Sequence, residues 1–273
     1  MRIVSNISAM NTHRVMAGTD SAMSKNLERL SSGLRINRAA DDAAGLAISE
    51  KMRNQISGLN QAMRNAQDGI SLIQTAEGAL TETHSILNRM RDLASQAKNG
   101  TYEDEDRKKM EKEFAQLQEE ITRIATQTEF NKKVLLSGKF ATTKITFQIG
   151  ANSGQSIDIN INDMSATGLG INDLHLSGTG VDFDNIITKI DEAVAKVSEQ
   201  RSNLGAVQNR LEHTINNLGV TAENLSAARS RITEVDMAEE MTEFTRNQIL
   251  MQSASAMLAQ ANAKPQSILQ LLG

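Results

Sequence analysis

Cysteine is absent from this chain, and with it go disulfides, thiolate metal sites and cysteine nucleophiles. Tryptophan is also absent, tyrosine occurs once, and aromatics make up 3% of the 273 residues, which excludes a thick core anchored by large rings. The only proline is Pro265, so almost nothing in the chain punctuates a long helix. No apolar run approaches the length of a membrane span, and the opening MRIVSNISAMNTHRV lacks the apolar centre of a secretory signal. With a formal charge of −4 there is no bulk attraction for polyanions. The first forty residues carry Arg2, Arg14, Lys25, Arg29, Arg35 and Arg38 against Asp20 and Glu28, but no aromatic side chain that would stack on a base. Nucleic-acid binding and membrane insertion are therefore not expected. These basic residues read instead as a solvated segment, or as partners for the acidic run Glu234, Asp236, Glu239, Glu240 and Glu243.

What the chain does contain is helical periodicity. A seam steps by three and four residues from Phe183 through Ile187, Ile190, Val194, Val197, Leu204, Leu211, Ile215, Leu218 and Ala222 to Leu225, interrupted only by Arg201 and Gln208. One helix of this length would reach ~65 Å and needs a second long helix to cover its seam. Met52, Ile56, Leu59, Met63, Ala66, Ile70, Ile73, Leu80, Leu87 and Ala94 supply it. There, Glu77, His84 and Arg91 fall on the stripe while Ala76, Thr83 and Met90 sit one residue earlier, so the apolar face drifts as in a bundle helix. Lys98-Asn99-Gly100 stops that helix. Glu103 to Asp106 then open a third, with Met110, Phe114, Leu117, Ile121 and Ile124 on its apolar face.

Between residues 130 and 180 the period changes to two. Ile145, Phe147 and Ile149 alternate with polar neighbours, as do Ile157, Ile159 and Ile161 beyond the loop 151–154, which predicts a β-hairpin within 143–163. Residues 167–180 read as a loop-rich return. The fold class expected is thus mainly α: an elongated antiparallel helical bundle or coiled coil with a small β-hairpin at its tip, its N- and C-terminal helices paired. Two domains are expected, 1–43 with 229–273 and 44–228. The terminal segments are thinly apolar, with Ile3, Ile7, Leu27, Leu30 and Leu34 at one end and Met241, Phe244, Leu258, Leu269 and Leu272 at the other. Alone they are marginal helices, and they are expected to order against each other or against other subunits.

Catalytic and metal chemistry find little support. His13, His84, His175 and His213 are scattered and form no HExxH word. Asp41 and Asp42, beside Arg35 and Arg38, are better suited to capping the following helix and to salt links with those arginines than to acid–base work. GLG at 168–170 and GTG at 178–180 lack the strand-to-helix setting of a phosphate loop. Met52, Met63 and Met90 follow the apolar stripe, whereas Met251 and Met257 are candidates for exchangeable contacts. No cofactor, no metal and no enzymatic activity are expected.

Six words are specific. LERLSSGLRINRAADDAAGLAISEKM (27–52), QDGISLIQTAEGALTETHSILNRMRDLASQA (67–97), QTEFN (127–131), LGAVQNRLEHTINNL (204–218), RITEVDMAEEM (231–241) and MLAQANAKPQSILQLL (257–272) closely resemble bacterial flagellin, in that family's order. The resemblance implies a subunit of the flagellar filament that serves motility. It would be exported through a flagellar type III secretion channel without a cleavable signal, and would polymerise with itself outside the cell. Paired termini would form the inner layer of the filament and the bundle the next layer out. The short middle implies a form without large outer domains. An export chaperone, the export apparatus, and the filament cap and hook-junction proteins are the implied partners. NRMRDLASQ at 88–96 further resembles a segment recognised by Toll-like innate immune receptors, which would make Arg89, Leu93 and Glu113 receptor contacts. The alternatives are a hook–filament junction protein and a monomeric receptor ligand.

Overall fold

The computed structural model describes residues 6–178 and 181–272, the side chains of 265–272 excepted. The helices are α1 (Ile7–Ser32), α2 (Ala43–Lys98), α3 (Asp104–Gln127), α4 (Lys139–Thr142), α5 (Ala166–Leu169), α6 (Phe183–Thr233) and α7 (Met237–Leu272). The strands are β1 (Glu129–Phe130), β2 (Lys133–Val134), β3 (Ile145–Gln148) and β4 (Ser156–Ile159). The chain divides into two compact units, one made of residues 1–54 with 223–273 and the other of residues 55–222.

In the second unit the long seams of α2 and α6 meet. Ile73, Leu80, Leu87 and Ala94 of α2 are buried with Ile190, Val197, Leu204 and Leu211 of α6, as their spacing predicts. The second row of α2, Ala76, Met90 and Ala97 with Thr83, is buried as well. The drifting stripe is therefore wide enough to serve α6 on one side and Phe114 and Ile121 of α3 on the other. Polar residues that interrupt the seams face one another: Arg201 lies 3.7 Å from Glu77, and Arg91 lies 2.9 Å from Asp191. Together with the Lys98–Asp184 pair they set α2 and α6 antiparallel. Three acids in the first turn of α3 suit the positive end of its dipole. The Arg107 guanidinium sits 5.5 Å from the centre of the Phe183 ring, joining the start of α3 to the start of α6.

The hairpin falls within the predicted limits, with Ile145 opposite Ile159 and Gln148 opposite Ser156. Its apolar face is buried through Ile145, Ile157 and Ile159, and Phe147 lies against Gly69, where a β-carbon would stand 3.3 Å from the ring. A second, two-residue hairpin joins β1 to β2. Its turn holds Asn131 and Lys132 at φ 49° and 62°, the mirror-image turn that suits strand twist.

The segment read as a loop-rich return is more ordered than its composition suggests. Leu169, Ile171, Leu174 and Leu176 are buried, as is Met164 just before it, and the helices hold the backbone of this stretch. Gln118 of α3 donates to the carbonyls of Ile171 (2.6 Å) and Leu174 (3.1 Å). Glu111 accepts from the Leu176 amide and lies 2.8 Å from His175 Nδ1. On α6, Gln200 donates to the Asn160 carbonyl at 3.0 Å and accepts from the Asn162 amide at 3.3 Å.

Candidate interaction surface

The first unit is organised by the pairing of α1 with α7. Gly33, in the left-handed region at φ 69°, ends α1 and returns its N–H to the Arg29 carbonyl at 2.8 Å. The chain beyond it pairs with the segment entering α7. Arg35 donates its N–H to Thr233 O at 2.7 Å, and Val235 donates to Gly33 O at 3.1 Å around the Leu34–Glu234 bridge. At the far end Asn6 Nδ2 donates to Ala261 O at 2.8 Å, so the two helices run antiparallel between these clamps.

Burial along both helices follows steps of three and four. In α1 the inward positions are Ala9, Thr12, Met16, Thr19, Met23, Asn26 and Leu30; in α7 they are Glu240, Phe244, Asn247, Met251, Ala254, Leu258 and Ala261. This is a heptad seam in which Met16, Met23, Leu30, Phe244, Met251 and Leu258 are interspersed with small and polar residues, so that its hydrophobic periodicity is broken. The terminal apolar positions singled out in the sequence consequently divide. Leu30, Phe244 and Leu258 lie on the seam and Leu34 is half-buried in the bridge, whereas Ile7, Leu27 and Met241 face solvent. Ile3 and the side chains of Leu269 and Leu272 lie outside the described residues.

Outward from the seam the helices present Ile7, Met10, Val15 and Leu27 on α1 and Met237, Met241, Ile249, Leu250 and Met257 on α7. With Ile48 these include every large apolar side chain among the described residues that is more than a third exposed, apart from Val220 of the second unit. Met241, Thr245, Ile249 and Leu250 line a shallow apolar groove along α7.

The aspartate pair has a structural role that differs in its partners from the one expected. Asp42 Oδ1 accepts from the Gly45 amide at 2.8 Å and caps α2. Asp41 pairs with Lys25 at 2.8 Å, not with an arginine, and accepts from the Arg38 and Asn37 amides. The Lys25 hydrogen bond, followed by the Arg38 amide, holds its carboxyl down at about 2. Arg38 is engaged with Glu28, and Arg35 donates to the Ile232 carbonyl. Of the basic residues near the N-terminus, Arg29 reaches the acidic run, 3.5 Å from Glu240. Among the described residues no cluster of three or more histidines and carboxylates is placed to hold a metal, and no helix is long and apolar enough to cross a membrane.

Arg89 and Glu113 are brought together on the neighbouring helices α2 and α3, bonded at 2.7 Å and exposed. Leu93 is not part of that surface: it is 2% exposed and packs in the core of the second unit. The signal was in the sequence, since Leu93 stands one helical step beyond Met90 on the drifting second row of α2.

A chain whose opposite ends zip into one antiparallel coiled coil, and whose middle forms a helical bundle of its own, is a structural coiled-coil protein. It belongs to the bacterial flagellin family. Residues 3–141 match the bacterial flagellin N-terminal helical region, and residues 187–272 match the C-terminal helical region. The chain is 53% identical to the flagellin of Bacillus subtilis (strain 168) and 56% identical to that of Halalkalibacterium halodurans, each over the full length of both proteins. Its fold is similar to the crystal structure of Bacillus cereus flagellin, with a TM-score of 0.51 and 36% identity over 61% of this chain and 94% of that one. The family is a structural one that builds filaments, not a family of enzymes.

Proposed function

We propose that this chain is the repeating subunit of an extracellular flagellar filament, exported through a flagellar type III channel with the help of a chaperone, and that its polymer serves motility. The observation that carries the reading is the concentration of exposed large apolar side chains on the paired terminal helices and the start of α2. An isolated soluble chain gains nothing from such a surface, whereas a polymer buries it at every repeat. On this reading residues 1–43 with 229–273 form the polymerising layer and residues 44–228 the layer outside it. The filament cap and hook-junction proteins would meet the same surface where the polymer ends.

The test is electron microscopy of the intact chain and of a version lacking residues 240–273 under identical polymerising conditions. Helical filaments from the intact chain alone support the reading. Capping of seeds without growth would replace it with that of a hook–filament junction protein.

Recognition by a Toll-like receptor is a second reading, favoured by the exposed Arg89–Glu113 pair bridging α2 and α3. It makes these two residues the contacts and leaves Leu93 to hold the helix beneath them.

A further inference from the structure

The turn that ends α2 holds the only Asn-Gly pair in the sequence, Asn99-Gly100. An asparagine side chain is open to attack by the backbone nitrogen of the residue after it. Two things ordinarily prevent this: the β-carbon of that following residue, and a hydrogen bond that fixes its N–H. Neither operates here. Gly100 has no β-carbon, and its N–H donates to no acceptor among the described residues.

The turn itself explains the free N–H. The Asn99 carbonyl accepts from the Tyr102 amide at 3.4 Å, so Asn99 and Gly100 are the first two residues of a four-residue turn, whose closing bond leaves the second N–H unused. Thr101 donates its N–H to Asn99 Oδ1 at 3.4 Å, which folds the side-chain amide back toward the peptide that follows it and draws electrons from Cγ. Asn99, Gly100 and Thr101 are all exposed, so water and base reach them. The comparable positions are protected. Gly69 follows Asp68 inside the hydrogen-bonded ladder of α2 and lies against Phe147, and Asn152 in the β3–β4 loop is followed by a serine with its β-carbon.

We propose that Asn99 is a site of self-modification. The Gly100 N–H gives its proton to a base in solution, the nitrogen bonds to Asn99 Cγ, and the Cγ–Nδ2 bond breaks, releasing ammonia with a proton drawn from solvent. Water then opens the five-membered imide at either carbonyl, leaving aspartate or isoaspartate at position 99. The net change is one water taken up and one ammonia lost, with no oxidation. Either product puts a carboxylate at the C-terminal end of α2, where unpaired carbonyls already carry partial negative charge, and beside Lys98, which pairs with Asp184 of α6. The last turn of α2 therefore loosens as the chain ages. No other subunit takes part, so the reaction is independent of polymerisation.

The fold supplies its own control. Gly100 is outside the left-handed region, and a β-carbon added there would meet nothing within 4 Å, so Gly100→Ala fits the turn and obstructs only the attack. The full chain is incubated at pH 6 and pH 8 in heavy-oxygen water and digested in ordinary water, beside a synthetic peptide of residues 96–102. Solvent oxygen in residue 99 then reports a ring opened before digestion. Label is expected there at least tenfold faster than at any other asparagine, within tenfold of the peptide, and with isoaspartate exceeding aspartate. The rate should be several-fold higher at pH 8, because the nucleophile is the deprotonated amide. Gly100→Ala should slow labelling at least tenfold with an unchanged melting curve. Protection of the folded chain by more than tenfold relative to the peptide would overturn the proposal, as would aspartate without isoaspartate or an unaltered rate in Gly100→Ala. In Asn99→Asp, amide exchange over residues 96–99 should quicken about twofold or more, and unchanged exchange would overturn the loosening of α2.

Discussion

If the outward face of α7 drives polymerisation, removing its hydrocarbon must raise the concentration at which filaments form while leaving the subunit folded. Ile249 and Leu250 are the sharpest place to ask, being adjacent in the α7 groove and 58% and 48% exposed. Complete burial of such a side chain contributes about 1.5–3 kcal/mol, so hiding the exposed half of each contributes roughly 1.1 kcal/mol, or about 2.2 kcal/mol for the pair. At about 1.4 kcal/mol per factor of ten, Ile249→Asn with Leu250→Asn raises the critical concentration roughly fortyfold. Both positions are surface positions within one chain, so the thermal unfolding of the bundle should move by less than about 0.5 kcal/mol. The assay is sedimentation of polymer against total concentration, seeded with native fragments so that nucleation does not limit the yield, with circular dichroism as the check on folding. A critical concentration within threefold of native would mean that this face stays solvated in the polymer, and the reasoning from exposed hydrocarbon would fail.

Other consequences follow from the bundle and the turn. Phe114→Ala removes a ring with no solvent exposure from the contact of α3 with α2 and should cost about 3–5 kcal/mol, read as a fall in the melting temperature of the bundle. Leu93→Ala should likewise cost about 2–5 kcal/mol. Any loss of receptor signalling in that variant should therefore track its loss of helix, whereas Arg89→Ala should weaken signalling and move stability by under about 1 kcal/mol; unchanged signalling from Arg89→Ala removes the receptor reading. The Asp41 carboxyl is held at about 2 against an ordinary 3.8, so its contribution to the 37–41 turn is complete above about 4 and fades as the pH falls toward 2. Amide exchange at Asn37 and Arg38, which donate to that carboxylate, should quicken over this interval, and Asp41→Asn should remove the pH dependence.

How far the sequence could be read depended on whether burial left a hydrophobic trace. Large side chains at helical spacing placed α2, α3 and α6, and the residues that broke the pattern were themselves informative: Glu77 and Arg201 interrupt separate seams because they face each other across the contact. Alternation was equally plain in β3 and β4. The order of residues 160–178 was not visible, since it comes from Glu111, Gln118 and Gln200, whose amides and carboxylate find backbone partners 38 to 65 residues away. Nothing in a local window distinguishes such a glutamine from a solvated one. The Asn131-Lys132 turn was also passed over, because lysine gives no sign of the positive φ it adopts there.

The terminal helices show the limit most clearly, because there the hydrophobic trace is divided between the seam and the surface. In α1 Ile7, Met10, Val15 and Leu27 face solvent, while the seam mixes Met16, Met23 and Leu30 with Ala9, Thr12, Thr19 and Asn26. An ordinary globular protein would bury the exposed share of these side chains in the monomer as well. A subunit that must leave its large side chains for its neighbours has the opposite requirement. Its intramolecular contact must hold the two helices together while leaving part of their large apolar side chains uncovered. Small residues interspersed along the seam, with the buried Asn26–Glu240 hydrogen bond of 2.9 Å among them, thin the hydrocarbon of that contact, a cost in stability that association with other copies offsets.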